Sequence, residues 1–243
     1  MKKILVLLVF VLAFANLSAQ TGKEVVQSCI TAMRIDKLDS FKTASVRASL
    51  YQQGQKVSIR YFSKDYGEDD AAESKVRLET SSMGKETAIV YADEEVFQVV
   101  PKYEELDERA LAQLMQISQF LFPTHNLMVL VKDTTDNTVL SLLEGTVKFN
   151  DKNCKKVALA SSENPEEILQ YIFFDEATNW FQGVEIPGSE VVTITCSNFK
   201  RAKGYVYPAA VKLLSNNKKI LEVEIDKIEL DINLEDSLFE RKK

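Results

Sequence analysis

The stretch NFKRAKGYVYPAAVKLLSNNKKILEVEIDKIELDINLEDSLF, residues 198–239, decides the fold. Two apolar-rich runs, residues 205–214 and 220–232, flank the turn-forming Ser215-Asn216-Asn217-Lys218. In the second run Leu221, Val223 and Ile225 alternate with Glu222, Glu224 and Asp226, the period-two mark of a strand with one dry and one wet face. Beyond Asp226 the phase slips, and Ile228, Leu230 and Ile232 carry the apolar side, which predicts a β-bulge or bend at residues 226–228. Nothing in this stretch is catalytic. It reads as the far edge of a large one-sided sheet, so function is to be sought in what the dry face covers.

Working outward, the same alternation recurs. Residues 41–52 place Ala44, Val46, Ala48 and Leu50 on one face; after Gln53-Gly54 the chain returns through 56–62 with Val57, Ile59 and Tyr61 apolar. Strands are then expected over 75–81 (Val76, Leu78), 86–91 and 95–100 (Phe97, Val99), the last ended by Pro101, which cannot donate to a ladder. Later strands are expected over 139–149, 154–161, 168–174, 180–186 and 191–199. Two segments break the pattern with helical spacing. Residues 21–38 align Val25, Val26, Cys29, Ile30 and Met33 in one stripe, with Thr21 and Glu24 at capping-box spacing. Residues 106–122 align Leu111, Leu114, Met115, Ile117, Ser118 and Leu121 before Pro123 stops them. Residues 126–131 fit a short helix or a strand equally. About ten or eleven strands on short turns with two helical interruptions give an α+β fold with one large antiparallel sheet, which twists and tends to curl.

The N-terminus has a separate character. Lys2-Lys3, the apolar run 4–15 and Leu17-Ser18-Ala19 have the order of a secretory signal, with cleavage expected after Ala19; an uncleaved anchor is the competing reading. The run is short of the roughly 20 residues needed to span a bilayer. That leaves residues 20–243 as a single domain, with no stable membrane anchor expected and a net charge moved from −6 to −8 by loss of the two lysines. An acidic chain without a basic block argues against nucleic acid and against electrostatic docking on anionic lipid. Three cysteines, Cys29, Cys154 and Cys196, are too few for a disulfide scaffold. Cys154 and Cys196 could bridge in an oxidising compartment, but Cys196 extends the alternation of Val192 and Ile194, which favours a buried free thiol.

Catalytic chemistry is thin. His125 is the single histidine and sits in Phe-Pro-Thr-His-Asn, where a loop or cap role is the simpler reading. No metal-ligand spacing, nucleophile elbow or phosphate loop occurs, so no enzyme activity, cofactor or metal is expected. Glu68-Asp69-Asp70 lacks the spaced ligands of a calcium loop and reads as solvated. Glu104-Glu105-Leu106-Asp107-Glu108 suits the start of a helix. Arg47, Arg60 and Arg77 fall on the polar faces of their strands, where an exposed ladder with Glu79 or a partner-docking patch is expected. The apolar face remains: fully covered core, or the wall of a cavity under loosely seated helices.

Several segments resemble LolA-like envelope proteins, the outer-membrane lipoprotein-sorting superfamily, in the form common in exported proteins of Bacteroidetes-type bacteria. The carrying residues are GKEVVQSCITAM (22–33), KVRLE (75–79), IVYADEEVFQVVP (89–101), NDKNCKKVAL (150–159), YIFFDEATNWFQGVE (171–185), GYVYP and the terminal VEIDKIELDINLEDSLF. The resemblance implies an incomplete barrel with helices in its concavity, lying as a lid over an apolar pocket for acyl chains. It implies a monomeric periplasmic carrier of lipid or acylated lipoprotein, or a non-transporting sensor or scaffold of the same fold that binds an envelope protein. On that reading Val46, Leu50, Val57, Ile59, Val76, Leu78, Phe97 and Val99 line the cavity, and Met33 and Met115 are adaptable lid residues.

Overall fold

Short two-residue turns generate most of the architecture. In the computed structural model, which describes residues 20–64, 74–132 and 138–241, the pairs Gln53-Gly54, Met83-Gly84, Asp93-Glu94, Asn150-Asp151, Lys203-Gly204 and Asn216-Asn217 all have φ in the left-handed region. That is the requirement of the type I′ hairpin turn, whose twist matches that of the flanking strands. The expected leader, residues 1–19, and the Glu68-Asp69-Asp70 cluster lie outside the described residues.

The hairpins build two meanders. The first holds β1 (Thr43–Gln52), β2 (Gln55–Lys64), β3 (Lys75–Ser82), β4 (Lys85–Ala92), β5 (Glu95–Val100) and the two-residue β6 (Glu104–Glu105). The second holds β7 (Thr138–Leu142), β8 (Val147–Phe149), β9 (Lys152–Ser161), β10 (Ile168–Asp175), β11 (Phe181–Ile186), β12 (Val192–Ala202), β13 (Tyr205–Ser215) and β14 (Lys218–Leu230). They merge into one 14-stranded antiparallel sheet, in the order β6-β5-β4-β3-β2-β1-β14-β13-β12-β11-β10-β9-β7, with β8 also on β9. The sheet does not close on itself; β6 and β7 are its two ends.

Three expectations are corrected. The strands number 14 among the described residues rather than ten or eleven, in part because β6 is added and because residues 139–149 divide into β7 and β8 around Gly145, whose φ is +77. The last strand is central, not an edge: β14 pairs with β1 on one side and β13 on the other, so the end of the chain closes onto its beginning. The first helix, α1, is shorter than residues 21–38. It covers Gly22–Met33 and ends where Arg34 turns left-handed (φ 56), and a 3-10 turn over Ile35–Ser40 follows. The bulge falls where expected: Arg47 faces Lys227 and Ala48 faces Ile225, which leaves Asp226 as the extra residue.

The chain crosses from one sheet edge to the other through α2 (Glu108–Leu121) and α3 (Asn126–Lys132), the latter settling residues 126–131 as helix. Asp107 caps α2, accepting hydrogen bonds from the amides of Arg109 and Ala110. The three described helices lie on one face of the sheet, here the front. There Val25, Val26, Cys29, Ile30 and Met33 of α1 join Leu114, Leu121, Leu127 and Met128 and the strand residues Val46, Ile59, Leu78, Ile172, Val223 and Ile225 in one core. A second, smaller core occupies the back face of the first meander. Phe62, Ala88, Val90, Ala92, Phe97 and Val99 are covered by Leu234 and Phe239 of the C-terminal segment. Arg77 fastens that segment by donating through Nη1 to the carbonyl of Leu238 at 2.9 Å.

Candidate functional site

The front face is the only large apolar surface of the described sheet that helices cover, and Cys29, Cys196 and the buried tyrosines Tyr61, Tyr205 and Tyr207 belong to its core. The capping box forms as expected: Glu24 N–H donates to Thr21 Oγ1 at 3.2 Å, and Thr21 N–H donates to Glu24 Oε2 at 2.7 Å. It fixes the first turn of α1, where Gly22 lies against β7 so closely that a Cβ would stand 2.7 Å from the carbonyl carbon of Leu140. From there Val25, Val26, Cys29 and Met33 descend into the core with no exposed surface.

Beneath α1 the interior is sulfur-rich and uncharged. The Cys29 thiol lies 3.6 Å from Met33 Sδ, which also accepts the amide of Phe181 at 3.3 Å. Burial pushes the Cys29 and Cys196 thiols and the Tyr61 and Tyr205 phenols well above their ordinary values, so all four are neutral at physiological pH. Tyr205 and Thr124 share a hydroxyl hydrogen bond of 2.9 Å, which joins β13 to the turn between α2 and α3. His125 lies in that same turn, its amide donating to the Phe122 carbonyl at 3.1 Å. All three cysteines are free and buried, so no Cys154–Cys196 bridge is present; Cys154 is raised to about 11 by burial and, next, by Asp175.

The residues expected to line a cavity divide. Val46, Ile59, Val76, Leu78 and Met33 meet in the front core, with Leu50 packed against it. Val57 is half-buried, opposite Leu50 near the hairpin end. Phe97 and Val99 lie elsewhere, in the back core under the C-terminal segment. The cause is local parity: Val90 pairs with Phe97 and Ile89 with Gln98, so the front positions of β4–β5 are Ile89 and Gln98, and Val99 is an extra residue in the ladder. Met115 is 41% exposed on α2 rather than seated on the sheet.

Four concavities lie at the surface. A groove of about 200 Å³ between α1, the 3-10 turn and α3 is lined by Gln27, Ile30, Asp36, Asp39, Met128 and Val131. One of about 490 Å³ lies at the hairpin ends around Tyr51, Ile220, Glu222 and Glu224. A polar one of about 290 Å³ crosses the back of β2–β4, and another of about 250 Å³ flanks the C-terminal segment. None of these is lined by Val46, Ile59, Val76 or Leu78, whose space is taken by helix side chains. Among the described residues no group of three or more His, Cys, Asp or Glu could hold a metal ion, and no helix is long and apolar enough to cross a membrane.

Sequence reasoning did not identify the back core or its C-terminal cover. Its signal was present in the even spacing of Ala88, Val90 and Ala92, opposite in phase to Ile89 and Tyr91.

No family model and no curated protein matches the chain. Among solved structures, a DUF1329 family protein from Desulfovibrio piger is 14% identical with a TM-score of 0.51, over 91% of this chain and 98% of that one. A LolA superfamily protein from Nitrosomonas europaea is 13% identical with a TM-score of 0.49, again over 91% and 98%. The MucA/MucB complex of Pseudomonas aeruginosa aligns at 13% identity and a TM-score of 0.37, over 89% of this chain and 60% of that one. At these identities the first shows a shared fold and nothing about activity.

Proposed function

We propose that this chain is a periplasmic, LolA-like binder and carrier of lipid or lipoprotein acyl chains, exported through its leader and working as a monomer without cofactor or catalysis. The observation that supports it most is the unequal seating of the helices over an apolar, uncharged sheet face. α1 is sunk into the core, whereas α2 buries only Leu114 and Leu121 and, with α3, leaves Met115 and Val129 exposed. Leu114, Leu121, Leu127 and Met128 pack in the core with the sheet residues, so uptake requires α2–α3 to lift and the acyl chain to replace them against the sheet. A myristoyl-length chain gains about 10 kcal/mol from full burial, of the same order as the contacts such a movement breaks.

The test is uptake of a fluorescent fatty-acyl probe by delipidated protein, with mass spectrometry of lipid carried through purification. Val57→Asp, at a half-buried rim position, should abolish uptake and leave the fold intact; Leu78→Asp would place an unpaired charge in the core and is unsuitable. A well-folded protein that takes up no probe removes the carrier reading. A second reading then stands on the helix-covered front face: a non-transporting envelope module of the same fold, acting as sensor or scaffold for a protein partner.

A further inference from the structure

The back face carries a row of cations in direct register. Lys227 of β14 sits opposite Arg47 of β1, and Arg47 sits opposite Arg60 of β2. Like charges facing one another across a ladder destabilise a sheet. The outer two have carboxylates: Lys227 Nζ is 2.6 Å from Glu229, and Arg60 is 3.2 Å from Glu79, which Arg77 engages from its other side at 2.8 Å. Arg47, in the middle, makes no hydrogen bond or ion pair among the described residues, although Glu229 lies near enough to feel its charge. Lys200 of β12 reaches the same part of β14, its Nζ donating to the carbonyls of Ile225 and Asp226 at the bulge.

The neighbourhood supplies neutral donors as well. Ser49 and Ser58 face each other two pairs along from Arg47 and Arg60, on the same face. Ser58 and Arg60 also line the back-face concavity of about 290 Å³, together with Arg77, Glu79, Ser81 and Glu86. Glu79 and Glu86 disfavour an anion inside that concavity, and Arg47 lies outside its lining, so the place for an anion is on the ladder between Arg47 and Arg60. Two guanidinium groups with adjacent hydroxyls match a tetrahedral oxyanion, because each guanidinium presents paired N–H donors.

We propose that Arg47 and Arg60, with Ser58, form a binding site for a phosphoryl group. The site is on the face opposite the helices and does not depend on the acyl-carrier reading. Its occupation would cancel a repulsion that the sheet otherwise retains.

Thermal melting in chloride and in inorganic phosphate at matched ionic strength tests the site, together with co-sedimentation on phosphatidylglycerol and on phosphatidylcholine vesicles. Phosphate should raise the wild-type Tm by about 2–4 °C and leave Arg47→Gln unmoved. In chloride alone, Arg47→Gln should melt higher than wild type, since it removes the unpaired middle charge. Wild-type protein that sediments with phosphatidylglycerol only, with Arg47→Gln released, would identify a lipid headgroup as the phosphoryl source; a phosphate shift without sedimentation would identify a free phosphate. Equal phosphate shifts in both proteins, no response to either probe, or a lower Arg47→Gln melting point in chloride would overturn the proposal.

Discussion

α1 and α2 lie over the same sheet face and are both amphipathic, yet one is core and the other is cover. α1 has 12 residues and buries Val25, Val26, Cys29, Ile30 and Met33, whereas α2 has 14 and buries only Leu114 and Leu121. Length and amphipathic pattern therefore do not rank them. Approach distance does: Gly22 lets α1 press its first turn onto the backbone of β7, and Met33 anchors its last turn to the amide of Phe181. α2 has a side-chain cap at its start but no comparable glycine or sulfur anchor. Local opening free energies follow buried contacts, so α2 should open well below the global unfolding free energy and α1 only with it.

The contrast can be broken most forcefully at Met33. Met33→Ala should cost about 2–5 kcal/mol in denaturant unfolding, because it empties a fully buried site. Gly22→Ala should cost about 1–3 kcal/mol, since β7 must shift to admit the methyl group. Loss of the cap in Thr21→Ala should cost about 1 kcal/mol. Met115→Ala, on the exposed side of α2, should stay within about 0.5 kcal/mol of wild type while altering acyl-probe uptake. A labelling measurement sharpens the same comparison without a stability change at α1: Cys29 should react with a thiol reagent only at the rate of global unfolding, and a cysteine introduced by Leu114→Cys should react faster. Equal rates would mean that α2 is as firmly held as α1.

Much of this was legible in the alternation. The period-two runs located the strands because each has one buried face, and the slip at Asp226 located the bulge because an inserted residue must invert the phase. Alternation shows that a strand has two faces but not which face meets the helices, so Phe97 and Val99 were grouped with the wrong core. The back core also requires knowing that residues after Leu230 cross behind the first meander, which is a tertiary fact. Likewise Met115 shares a helical face with Leu114, but only the distance of α2 from the sheet decides that one is buried and the other is not. The arginine ladder with Glu79 was visible from strand parity; that Arg77 is buried beneath the C-terminal segment was not.

The pairing of β14 with β1 has a consequence for synthesis. It joins positions as remote as Lys42 and Asp231, whose amide–carboxylate hydrogen bond spans 189 residues of sequence. The first meander is made early, so the outer side of β1 waits with its peptide groups unsatisfied until β14 has followed it. A chain cut short in its final strand would not be a smaller copy of this protein. It would be two half-sheets, each with a raw margin suited to capturing strands from other molecules.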